Sequence, residues 1–263
     1  QPGAHVLRRV SILHEVGRGG CGVVYKAHDP QLDRVVALKL PRADFGAGED
    51  AFERFEREAK IVAALDHVGI VPVYEAGQHK GISYIVSQFC CGPDLGKWLR
   101  NNSEGLSPRE SARLVADLAE ALDYAHRRGI IHRDVKPGNV LLAPVATQAV
   151  GQQRDGEQES RFQPRLTDFG LAHMQSAEWS QTRTSLIIGT PAYMAPECFT
   201  KDRGKWGASG DVYALGAVLY ELLTGAPPIE GDGFGELLDQ IKHQQPPLPH
   251  EENDHVPLEL SVI

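Results

Sequence analysis

Apolar and polar residues change rhythm twice along this chain. Short β-branched runs at 10–16, 23–27, 35–40, 70–74 and 82–86 are separated by Gly, Asp and Pro. Runs this short between turn formers predict the strands of an antiparallel sheet. Residues 49–65 break the rhythm: Phe52, Phe55, Ala59 and Val62 recur at helical spacing, so one helix is expected to interrupt the sheet.

Past residues 90–92 the pattern becomes mainly helical. Ser107, Pro108 and Glu110 supply an N-cap, a first-turn proline and a capping-box partner, and Leu114, Leu118, Leu122 and Ala125 carry the apolar stripe on towards Gly129. A second helix is expected over 211–223, stopped by Gly225 and the prolines Pro227 and Pro228. It is apolar on nearly every side, as a helix buried in the middle of a domain would be. Residues 143–163 are dominated by Gln, Gly, Glu, Arg and Ser. Such a stretch buries too little to offset its ordering entropy, so a polar surface loop is expected there. No internal repeat is visible.

Composition narrows the class. The 263 residues are 41% hydrophobic and 24% charged, enough apolar material for one large domain or two small lobes. The formal charge of -8 argues against a sequence-independent grip on nucleic acid or on an anionic membrane, so any bound anion must be held locally. Cys21, Cys90, Cys91 and Cys198 show neither metal-ligand spacing nor the density of a disulfide scaffold. A reduced, cytoplasmic compartment is therefore expected, with a membrane anchor elsewhere in a parent protein left open. No apolar run reaches the length of a membrane span. Gln1 at one end and Leu258, Leu260, Val262 and Ile263 at the other read as the ends of an excised piece.

Candidate chemistry begins with Gly17, Gly19 and Gly22, a G-x-G-x-x-G pattern followed by Val24. Alone it is weak, and turn geometry explains it as well as ligand binding does. A dinucleotide site needs a helix after the glycines, and residues 23–27 look like a strand. What remains is a hairpin whose backbone can approach phosphates closely. Lys39 ends a VALK run, where an isolated ammonium is costly to bury, and Glu58 on the interrupting helix is its natural partner. Taken singly, each reads as an ordinary solvated charge. Their position after a glycine loop makes them a pair.

The decisive segments are HRDVKPGNVLL at 132–142, TDFGLA at 167–172 and GTPAYMAPE at 189–197. With these in order, the chain resembles the protein kinase family, serine/threonine branch, over nearly its whole length. Its overall style resembles bacterial members. The resemblance implies an α+β, bilobal fold: an antiparallel-sheet N-lobe with one helix at 1–87, a hinge at 88–92 and a mainly helical C-lobe at 93–263. The polar stretch 143–163 would be an insertion whose removal over 147–160 leaves activity intact. The family continues past this point and pairs the glutamate matching Glu197 with a later arginine, so the lobe is expected to be incomplete.

The same resemblance implies roles. Gly17, Gly19 and Gly22 would cover the phosphates of ATP, and Lys39, held by Glu58, would contact the α- and β-phosphates. Asn139 and Asp168 would ligate Mg²⁺, and Asp134 would orient the acceptor hydroxyl and take its proton. Lys136 would neutralise the γ-phosphate. Adenine would lie between Val16, Val24 and Ala37 above and Leu141 below, its edge bonded to the backbone of Gln88 and Cys90, with Asp94 near the ribose. This register puts Ser87 at the entrance to a pocket behind adenine. His132 would be structural, stacked near Phe169, Val62 and Val73. Arg133 would pair with a phosphate on the segment after Asp168, with Thr182, Thr184 and Ser185 as candidates and Thr190 excluded, since it matches a residue that contacts the catalytic loop. The implied partner is a protein carrying a Ser or Thr acceptor; the oligomeric state is left open. The rival readings are a pseudokinase, a nucleotide-binding or scaffolding module, and a small-molecule phosphotransferase. GTPAYMAPE, which helps dock a peptide in the family, speaks against the last.

Overall fold

Five strands pair in the order β1-β2-β3-β5-β4 in the computed structural model, which describes residues 10–19, 22–41, 49–145, 162–169, 191–199, 207–231 and 233–261. They are β1 (Ser11–Gly19), β2 (Gly22–Asp29), β3 (Arg34–Leu40), β4 (Val73–His79) and β5 (Ile82–Gln88), each antiparallel to its neighbours. Alternation along β3 explains the layering. Val36 and Leu38 are buried with Val10, Ala27 and Val86, while Ala37 and Lys39 point to the opposite face. The interrupting helix α1 (Glu49–Ala63) packs against β4 and buries Phe55 and Ala59.

One expected strand is displaced. The run at 70–74 does not form a strand as a unit; β4 starts only at Val73. Ile70 and Val71 are taken by a distant segment: Val71 N–H donates to Leu166 O at 2.9 Å and Leu166 N–H donates to Gly69 O at 2.8 Å. Pro72, which has no N–H, separates that pairing from the sheet.

The second half is built on helices α2 (Leu95–Asn101), α3 (Pro108–His126), α4 (Ala208–Thr224), α5 (Phe234–His243), α6 (Pro249–Glu252) and α7 (Leu258–Ser261). The Ser107/Glu110 capping box closes the start of α3, and Leu114, Leu118 and Leu122 are buried against Val218 and Leu222 of α4. Gly225 ends α4 in the left-handed region at φ 87, a conformation a β-carbon would penalise. A hairpin of β6 (Val140–Pro144) and β7 (Phe162–Leu166) lies beside these helices. The polar loop expected over 143–163 is thus shorter at both ends: Ala143 and Pro144 complete β6, and Phe162 and Gln163 begin β7. Trp98 meets Phe162 edge-on at 6.0 Å, apolar contact that local composition did not predict. Residues 146–161, which hold the stretch expected to be dispensable, lie outside the described residues.

Candidate active site

The glycine segment is a hairpin, as its strand-turn-strand context requires. Gly17 pairs with Val24 and Gly19 with Gly22. Gly22 has φ 129, and a Cβ there would collide with the Leu40 carbonyl, so no other residue fits. Gly17 and Gly19 face open space. Val16 on β1 is exposed and Val24 on β2 is half-buried, while Ala37 sits opposite Ser87 in the register.

The side chain of Lys39 is 9% exposed, and Nζ lies 2.8 Å from Asp168 Oδ1. The contact is one of charge and is not aligned as a hydrogen bond. The carboxylate beside Lys39 is therefore that of Asp168, where Glu58 was expected. A buried ammonium is drawn to the nearest anion because screening is weak there. Asp168, with φ 68, adopts a backbone conformation that turns it out of the line of β7. Glu58, half-buried on α1, acts on Arg133. Burial holds the Arg133 guanidinium below its ordinary pKa, and the charges of Glu58 and then Asp211 oppose that shift.

The loop after α3 brings the other expected groups together. Lys136 Nζ spans both carboxylate oxygens of Asp134, at 2.9 and 2.8 Å. Asn139 Nδ2 donates to Asp134 Oδ2 at 2.8 Å and to Asp134 O at 2.7 Å. Thr167 N–H donates to Asn139 O at 3.0 Å, which ties this loop to the end of β7 and hence to Asp168. His132 is fully buried and packs against Phe169 with ring centroids 4.4 Å apart and the planes tilted by 49°.

Beneath the loop sits a residue that the sequence reading placed only on a helix. Asp211 in α4 is 1% exposed. Its Oδ2 accepts from His132 N–H at 2.8 Å and lies 2.7 Å from His126 Nε2, and its Oδ1 accepts from Arg133 N–H at 2.7 Å. Arg133 has φ 65, a strained conformation for a non-glycine residue that persists only when its surroundings impose it. Asp211 imposes it. A carboxylate at the start of a largely apolar helix was the signal available in the sequence.

Other expected residues serve local structure as well. Asp94 is the N-cap of α2: Oδ1 accepts from Lys97 N–H at 2.7 Å, and Oδ2 lies 3.1 Å from Lys97 Nζ. Leu141 lies in β6, where Asp94 bridges to it. Gln88 ends β5, and its side chain accepts from Arg165, a contact the sequence did not announce. Cys90 follows in the connection to α2, where burial pushes its thiol up and the charge of Arg165 opposes the shift. Cys198 is pushed up to about 11, by burial first and by Glu197 second. Ser87 lines an inner cavity with Lys39, Val71, Val73, Ile85 and Phe169. Cys21, Thr182, Thr184, Ser185 and Thr190 lie outside the described residues.

The donor set suits a magnesium nucleotide. Asn139 and Asp168 offer hard oxygen ligands, and Lys39 offers a buried cation. Among the described residues no group of three or more His, Cys, Asp or Glu could hold a metal by itself.

Comparison with known proteins identifies the family. Residues 10–260 match the family described as Protein kinase domain. The chain is 35% identical over 263 residues to the serine/threonine-protein kinase PknB of Mycobacterium leprae, covering 98% of this chain and 39% of that protein. It is 37% identical over 243 residues to a probable serine/threonine-protein kinase PknB of Lactococcus lactis, covering 92% of this chain and 35% of that one. It thus spans well under half the length of these relatives. A crystal structure of the Mycobacterium tuberculosis PknI kinase domain superposes with a TM-score of 0.68 at 26% identity, covering 95% of this chain and 85% of that chain. With a strand-built glycine hairpin, a catalytic loop anchored on a buried aspartate and a family match across almost its whole length, this chain belongs to the protein kinase family, as a bacterial-type serine/threonine kinase domain.

Proposed function

We propose that this domain transfers the γ-phosphate of ATP, with Mg²⁺, to serine and threonine hydroxyls of protein substrates. The observation that carries the reading is the loop at 134–139, where Asp134, Lys136 and Asn139 share hydrogen bonds of 2.7 to 2.9 Å. Phosphoryl transfer asks for positioning and charge neutralisation more than for covalent chemistry. Asp134 is the acceptor for the hydroxyl proton, Lys136 neutralises phosphate charge beside it, and Asn139 with Asp168 holds the metal. Lys39 binds phosphate, and Glu58 holds Lys39 in the transferring state. Gly17, Gly19, Gly22, Val16, Val24, Ala37, Gln88, Cys90, Asp94 and Leu141 bind the nucleotide. Every position that the transfer chemistry needs is filled, which favours an active kinase over a pseudokinase. Residues 1–87, 88–92 and 93–263 act as sheet lobe, hinge and helical lobe. No helix among the described residues is long and apolar enough to cross a membrane, and the need for ATP puts the domain on the cytoplasmic side.

The test is transfer of labelled γ-phosphate from ATP to a generic protein substrate. Label on serine and threonine that is abolished by EDTA and by Lys39→Met is the expected result. Nucleotide binding with no transfer by the unaltered protein would sink the reading in favour of the pseudokinase.

Ser87 gives a second check. A small residue at the mouth of the inner cavity admits ATP analogues carrying a bulky group on adenine, so these should inhibit transfer. Ser87→Met takes up that space and should raise their inhibition constants more than about tenfold while ATP use persists, because the longer side chain meets the bulky group, and forcing extra atoms into a packed space costs about 1–3 kcal/mol. Unchanged inhibition would mean that the adenine register is wrong.

A further inference from the structure

The connection from β5 to α2 runs along the β6–β7 hairpin and is tied to it at both ends. At the far end, Leu142 N–H donates to Pro93 O at 2.9 Å, and a Cβ on Gly92 would collide with the Leu142 carbonyl, so the two backbones touch. At the near end the tie is made by side chains. Arg165 Nη1 in β7 donates to Gln88 Oε1 at 2.7 Å. Arg165 faces Leu141 across the hairpin and lies on the strand that leads into Asp168. Its Nε is buried without a hydrogen bond, and the guanidinium lies close enough for its charge to act on the Cys90 thiol.

We propose that Arg165 is a positioning residue for the nucleotide, holding the connection at Gln88 against the hairpin that carries the adenine floor at Leu141 and the metal ligand Asp168. This rests on the ATP reading above. The nucleotide bridges two groups of contacts, the backbone at Gln88 and Cys90 for adenine and the loops at Lys39, Asn139 and Asp168 for the phosphates. Binding is strong only when their separation is set in advance, because looseness at either end must be removed when ligand binds. A hydrogen bond from a charged, partly buried guanidinium is suited to this, being shorter and stronger than a neutral one. Lysine offers a single point charge in place of the planar fork and restores the contact only in part.

The experiment compares the unaltered protein with Arg165→Leu, Arg165→Lys, Gln88→Leu and the Arg165→Leu/Gln88→Leu double variant. It measures binding of fluorescent ADP with Mg²⁺, KM for ATP, kcat and thermal midpoint. Arg165→Leu and Gln88→Leu should each weaken ADP binding and raise KM about fivefold, with a smaller effect on kcat. The double variant should be no weaker than Arg165→Leu, since both changes remove the same contact, and Arg165→Lys should recover part of the loss. Gln88→Leu keeps the test open if Arg165→Leu fails to fold, because it leaves β7 intact. Unchanged KM in the folded variants, losses that multiply in the double variant, or a rise in kcat/KM would each overturn the proposal. If the unaltered protein binds no nucleotide, the ATP reading falls and this one with it; if it binds nucleotide and the variants bind equally well, only the role of Arg165 falls.

Discussion

Asp134→Asn is expected to lower kcat for phosphate transfer by about 100- to 10,000-fold, the range that a positioned proton acceptor contributes, while ADP affinity stays within about twofold. The carboxylate is held by three donor contacts, two from Lys136 Nζ and one from Asn139 Nδ2. The amide retains the shape of the side chain, but it cannot take a proton and presents an NH₂ group to a loop already full of donors. ADP affinity is spared because the proposed nucleotide and metal contacts do not include Asp134 itself. Single-turnover transfer and fluorescent-ADP titration separate the two quantities. Retention of more than about a tenth of the rate would remove Asp134 from the role of proton acceptor.

Asp211→Ala should destabilise the domain by about 2–6 kcal/mol, because the buried N–H of His132 and the partly buried N–H of Arg133 lose their acceptor and each such loss costs about 1–3 kcal/mol. That is a large share of the stability of an ordinary domain. The left-handed backbone of Arg133 would then have nothing to impose it, and its relaxation moves the neighbouring Asp134. Transfer activity should therefore fall even at temperatures where the variant stays folded. Asp211→Asn keeps one acceptor oxygen and should lie between the two. Urea unfolding combined with the transfer assay decides it: an Asp211→Ala protein with native stability and activity would show that α4 does not anchor the loop.

The two sites differ in how they could be read from sequence. Asp134, Lys136 and Asn139 lie within a few residues of one another, so their spacing alone places them in one loop, and the structure joins them by direct hydrogen bonds. Asp211 stands far along the chain from the backbone it holds. Its meaning depends on α4 passing beneath the loop, which no local window records. Lys39 shows the same limit. Its need for an anion followed from its place in an apolar strand, but that Asp168 stands beside it in this structure depends on the turn of the backbone at Asp168. Arg165 belongs to no motif in the sequence, and only the hairpin brings it to Gln88.

The elements and the chemistry were written locally in the chain. Short β-branched runs between turn formers marked the sheet, helical spacing marked the long helices, and the capping box and Gly225 marked where the first core helix begins and the second ends. Three motifs in order named the family. Such signals are legible because backbone hydrogen bonding and side-chain periodicity are set within a few residues. Packing, by contrast, chose which strand took Ile70 and Val71, which carboxylate met Lys39, how the connection is held by the β6–β7 hairpin, and what supports the catalytic loop. The reason is desolvation. A buried charge or N–H must find a partner once water is excluded, and that partner is whichever group the packed helices and strands bring within reach.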